Sequence, residues 1–169
     1  MSTENIYIYG AILVGLGATL FMDLWALILR RAFNIALPNY CFVGRWLRHM
    51  PTGTFKHTSI AAAPKKTAEC TTGWIAHYLI GAAYALILII PAASGWLARP
   101  TLLPALLVGI GTVLIPYFVM QPCFGLGIAA AKTPNPAQAR LRSLMSHTAY
   151  GVGLYVSAYP LGYVVRAHV

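Results

Sequence analysis

The chain has 169 residues, of which 59% are hydrophobic and only 9% charged, and its formal net charge is +9. A soluble domain of this size carries about 25% charged residues, so the composition excludes an ordinary water-soluble globule and points to lipid as the main solvent. No length is left over for a separate soluble domain, and residues 1–169 are expected to form one membrane domain.

A hydrocarbon core of roughly 30 Å needs about 20 apolar residues at 1.5 Å per helical residue. The first such run is 6–29. It opens without Lys or Arg, exceeds the apolar part of a secretory signal and is followed by Arg30 and Arg31, so it reads as a retained spanning helix. Ala11, Gly15 and Thr19 form a stripe of small residues at i, i+4 spacing that ends on Asp23. Such stripes are where helices approach one another in lipid.

The first connection, 30–72, contains an amphipathic segment from Asn39 to Met50. Tyr40, Val43, Leu47 and Met50 fall on one face at 100° per residue and Arg45, Arg48 and His49 on the other, the pattern of a helix lying in the headgroup region. Pro51-Thr52-Gly53 ends it. His49 and His57 read either as solvated loop residues or as a roof over the polar groups beneath.

The second run, 74–93, carries the stripe Gly73, His77, Gly81 and Ala85, so His77 is expected to point at a neighbouring helix. The third, 101–121, contains Pro104 and Pro116 and is followed by Pro122. A proline removes one backbone donor and crowds the carbonyl four residues earlier, so this helix is expected to break near Gln121. The Gly- and Ala-rich stretch Pro122–Ala131 then reads as a re-entrant or interfacial segment. The fourth run, 143–165, repeats the small-residue pattern around His147 with Ser143 and Gly151.

The basic residues orient these runs. Arg30, Arg31, Arg45, Arg48, Lys56, Lys65 and Lys66 lie in the connection 30–72, and Lys132, Arg140 and Arg142 in the connection 122–142. Arg99 and Arg166 alone lie on the other side. By the positive-inside rule the two basic connections are cytoplasmic and both termini periplasmic. Tyr7, Tyr9, Trp96, Tyr159 and Tyr163 fit an outer interfacial belt. The sequence therefore predicts an all-α integral membrane protein, a four-transmembrane-helix bundle with an amphipathic interfacial helix in its first cytoplasmic loop. Topology accounts for the positive charge, so the expected partner is the anionic surface of a bilayer, with no nucleic acid.

Asp23, His77, Gln121 and His147 fall at similar depth near the cytoplasmic face. An Asp at a helix centre costs about 2.5–3.5 kcal/mol on insertion scales, so several such groups at one level suggest a site. Asp23, His77 and His147 make a 2-His-1-carboxylate set suited to a transition metal, or the two histidines an axial pair for haem, with Gln121 orienting a bound group. Without a metal, the same residues could relay protons in a transporter or hold the helices together by hydrogen bonds. A further reading is an accessory or structural subunit of a larger membrane complex, or a homo-oligomer. Hydrolytic chemistry lacks its parts, because the chain has three acidic residues and no nucleophile elbow or phosphate-binding loop. Cys41, Cys70 and Cys123 are odd in number, lack zinc spacing and lie on the reducing side, so they are expected as small apolar residues without a disulfide.

Several strings together resemble a known family. MDLW (Met22–Trp25), GRW (Gly44–Trp46), HMP (His49–Pro51), GWIAHY (Gly73–Tyr78), RPTLLPALL (Arg99–Leu107), MQP (Met120–Pro122), and TPNP with ARLRSL ahead of His147, are similar to bacterial membrane proteins catalogued as domain of unknown function 2938. The resemblance runs from about Thr19 to Leu154. It implies four helices in a bacterial inner membrane and transfers no catalytic residue.

Overall fold

The computed structural model describes residues 3–89 and 95–168. Among the described residues the regular structure is helical, with no strand. Helix α1 spans Thr3–Phe33, α2 Tyr40–His49, α3 Glu69–Ile89, α4 Gly95–Ala98, α5 Leu102–Gly111, α6 Gln121–Cys123 and α7 Pro136–His168. The last expected residues of the second run, 90–93, lie outside the described residues.

Among the described residues three helices are long and apolar enough to cross a membrane, Asn5–Phe33, Glu69–Ile89 and Leu102–Cys123, where four were expected. The fourth expected run does not meet that measure of length and apolarity. The run 143–165 is helical within α7, but Tyr150, Tyr155, Tyr159 and Tyr163, with glycines at 151, 153 and 162, hold its hydropathy below that of an aliphatic span. Helix α7 also starts seven residues before the expected 143. Pro136 occupies its first position, where a missing N–H costs nothing, and the Asn135 side chain accepts from the Gln138 N–H at 3.1 Å. An apolar-run reading cannot see this polar first part.

The chain forms two compact units, Met1–Ala36 with Tyr78–Gly111 and Ser146–Val169, and Leu37–His77 with Thr112–Met145. In the first, the expected stripes are buried: Ala11, Gly15 and Thr19 on α1, Gly81 and Ala85 on α3. A Cβ on Gly15 would lie 2.5 Å from the Ala82 Cα, and one on Gly109 2.4 Å from the Gly151 Cα, so these backbones meet where no side chain fits. The polar groups in this packing are satisfied along the way. Thr19 Oγ1 donates to Gly15 O at 2.8 Å, and the buried Tyr150 hydroxyl on α7 donates to Gly81 O on α3 at 2.6 Å. Val14, Leu88, Ile89, Leu97 and Leu154 fill the remaining core.

The third run is interrupted earlier than the expected place near Gln121, just beyond Gly111, and helix resumes through Gln121 to Cys123. After α5 the Thr112 carbonyl, which Pro116 cannot serve, accepts from Ile115 N at 3.2 Å. Pro116–Met120 then forms a π-turn in which Gln121 N reaches Pro116 O. Beyond α6 the chain folds back through Leu126 N to Gln121 O and Lys132 N to Leu126 O, with a 3₁₀ turn at Ile128–Ala130. This segment holds down part of the long first connection. His57 N donates to Cys123 O at 2.8 Å and Ile60 N to Phe124 O at 3.1 Å. Gly125, with φ +85°, lies against the Thr58 carbonyl where a Cβ would come to 2.0 Å. Only glycine combines that left-handed backbone with so close an approach.

Candidate functional site

The most concentrated chemistry lies where α2 meets the first turns of α3, within the second unit. Gly44 and Gly73 make the crossing: a Cβ on Gly44 would lie 1.7 Å from Glu69 O, and one on Gly73 1.8 Å from Tyr40 O. One turn earlier on each helix, Cys41 and Cys70 are joined in a disulfide. The expectation of three unlinked cysteines is corrected by this pair, with Cys123 alone free among the described residues. Compartment had argued against a bridge; the glycine crossing overrides it by bringing the two Cα atoms to 3.9 Å.

Beside the glycines, Arg45 and Glu69 form a two-pronged ion pair, Nε to Oε2 at 2.8 Å and Nη2 to Oε1 at 2.7 Å. The remaining Nη1 donates to the carbonyls of Ile60, Ala61 and Ala63 at 2.9, 3.1 and 3.2 Å. Glu69 Oε2 also accepts from Lys66 N at 2.9 Å. The hydrogen bond with Glu69 raises the Arg45 pKa above its ordinary value, against a smaller opposing effect of burial. On the expected polar face of α2, Arg45 and His49 are covered and Arg48 is exposed. Gly44, Arg45 and His49 are the buried residues, and Val43, Leu47 and Met50 are only partly covered. A charge can occupy the inner face because its partner and three carbonyl acceptors are built around it.

Next to the junction, the His77 ring stacks on Tyr40 with centroids 3.9 Å apart and stands edge-on to Trp74 at 5.8 Å. Also in the second unit, Gln121 is buried, and its Nε2 donates to Ser143 Oγ at 3.3 Å while its Oε1 has no partner. In the first unit, Asp23 accepts from the Tyr78 hydroxyl at 3.1 Å. His147 is half-buried on α7, in the turn that faces Gly109. Asp23, His77 and Gln121 of the predicted layer each have a protein partner within their own unit.

No group of three or more His, Cys, Asp or Glu side chains that could hold a metal ion occurs among the described residues. The two loop histidines are closer to one another than the sequence implied. His49 is buried with Nε2 3.0 Å from Pro64 O, and its ring is edge-on to His57 at 5.0 Å. They supply two donors, short of a closed site.

Sequence reasoning missed the Arg45–Glu69 pair and the disulfide. A signal was present in the repeated Cys-x-x-Gly pattern, Cys41 to Gly44 and Cys70 to Gly73, which puts a cysteine one turn from a small residue on two separate helices.

No curated protein and no solved structure matches the chain. The family model described as "Protein of unknown function (DUF2938)" matches residues 12–160. With nearly the whole helical region covered by that match, the chain belongs to the DUF2938 family, whose function is unknown.

Proposed function

We propose that the chain is an integral protein of a bacterial inner membrane that serves as an accessory or structural subunit. In this reading it crosses the bilayer four times, with both termini in the periplasm and the basic connections 30–72 and 122–142 in the cytoplasm. Helix α7 crosses with the other three because Tyr150 bonds Gly81 and Gly151 packs on α5, so Tyr150 and the glycines at 151, 153 and 162 face protein, while Tyr159 and Tyr163 are exposed.

The observation that carries the reading is the engagement of the polar side chains in contacts with protein partners. Asp23 meets Tyr78, His77 meets Tyr40 and Gln121 meets Ser143. Glu69 is bound to Arg45, so two of the three acidic side chains are occupied by protein partners. Groups spent on fixing helices are unavailable as an open catalytic constellation. Interhelical hydrogen bonds of this kind contribute on average about 0.6 kcal/mol each, enough to choose helix partners.

The test is the mass of the particle extracted from native membranes in mild detergent. An accessory subunit leaves the membrane in an assembly of fixed stoichiometry, well above the 18.3 kDa of one chain. A lone chain would overturn the subunit reading. Reporters fused after Val169 and within 54–59 test the topology separately, with activity expected in the periplasm for the first and in the cytoplasm for the second.

A further inference from the structure

We propose that Cys41 and Cys70 form a reversible thiol–disulfide site that exchanges with a dithiol reductant at the cytoplasmic membrane surface. The inference rests on the topology proposed above for the connection 30–72. Disulfides facing a reducing cytosol are mostly transient, catalytic or redox-sensing, because thiol reductants keep the others open.

Three observations support an exchangeable bond. The first is access: Cys70 is exposed, whereas Cys41 is partly covered. The second is electrostatic position. Cys41 and Cys70 are each the second residue of a helix, α2 and α3, and helix N-termini favour negative charge in their first turn. Arg48, which reaches Thr72 on α3, adds positive charge at the same junction. Both sulfurs therefore part as thiolates in a setting that accepts them.

The third observation is redundancy. The same two helices are held by the Gly44–Gly73 crossing and the Arg45–Glu69 pair, so opening the disulfide leaves the junction in place. The covalent bond works as a latch on α2, and no part of the fold has to be rebuilt when it opens.

The exchange balances as an ordinary two-step transfer. A thiolate of the external dithiol attacks the exposed Cys70 sulfur, and a mixed disulfide forms as Cys41 leaves as a thiolate. The second thiol of the reductant attacks its own sulfur in that mixed bond, releasing Cys70. Two electrons and two protons pass to the protein, giving two thiols, and the reductant leaves as its disulfide.

The experiment uses the full chain in the membranes of growing cells. Samples are quenched in acid, denatured and labelled with a maleimide-coupled polyethylene glycol. With three cysteines in the chain, growing cells should give three labels, cells treated with diamide one, and removal of the oxidant should restore three. The variants Cys41→Ser and Cys70→Ser should each give two labels under all conditions, and the ion pair keeps them folded. Labels that respond neither to diamide nor to dithiothreitol overturn the proposal. If the reporter within 54–59 is cytoplasmic while the labels do not respond, the redox site falls alone. If that reporter is periplasmic, the topology falls, and the site is overturned with it.

Discussion

Replacing Arg45 by Met tests whether the buried charge organises the α2–α3 junction. The substitution removes two contacts to Glu69 and three to backbone carbonyls. It also leaves the Glu69 carboxylate buried with only the Lys66 N–H. Breaking a buried pair by removing one partner costs about 3–5 kcal/mol, most of it the desolvation of the abandoned charge. Because the carbonyls of Ile60, Ala61 and Ala63 lose their shared donor as well, we expect about 4 kcal/mol for Arg45→Met. Glu69→Gln keeps an acceptor for the guanidinium and should cost less, about 2–3 kcal/mol. The double variant Arg45→Met/Glu69→Gln removes both charges together and should recover part of the loss, leaving a coupling of about 2 kcal/mol between the sites. The assay is reversible denaturation of the purified protein in mixed micelles, followed by tryptophan fluorescence with the disulfide intact throughout. Single variants that each cost under about 1 kcal/mol, or that add within about 0.5 kcal/mol, would refute an organising role for the pair.

Gly109→Ala should destabilise by about 1–3 kcal/mol in the same assay, because its Cβ meets the Gly151 backbone, whereas Gly95→Ala, with open space around it, should be within about 0.5 kcal/mol of the parent. Tyr78→Phe removes the hydroxyl that Asp23 accepts and should cost about 0.6 kcal/mol; a loss several times larger in the denaturation midpoint would show that the carboxylate depends on that one donor. Gln121→Leu should be near neutral, since removing the buried Oε1 that has no partner offsets the loss of the bond from Nε2 to Ser143 Oγ; a clear fall in stability would show that the amide is satisfied in the membrane. Elemental analysis of the purified protein beside His77→Ala/His147→Ala decides the ligand-set reading: a stoichiometric transition metal lost in the variant establishes it, and no metal in either leaves the accessory reading.

The helical class, the apolar runs and the buried small-residue stripes were legible in the sequence because each depends on residues within a turn or two of one another. Ala11, Gly15 and Thr19 are three or four positions apart, and their shared face follows from helix geometry alone. The interruption of the third run, though not its place, was legible for the same reason, since a proline acts on a carbonyl four residues away. The early start of α7 was written in Asn135 and Pro136, and was passed over because attention to hydropathy hides polar first turns.

The face that α2 buries was decided elsewhere. Amphipathic spacing says that its two faces differ, and by itself assigns the charged one to water. Arg45 turns inward because Glu69, 24 residues on, and the carbonyls of 60–63 surround it, and no local pattern carries that information. The pairing of Cys41 with Cys70 and the contacts of Asp23 with Tyr78, His77 with Tyr40 and Gln121 with Ser143 have the same origin. A sequence shows which groups cannot be left in lipid alone, and the tertiary structure decides which partner each one takes, because hydrogen bonds and ion pairs are made across space between segments far apart in the chain.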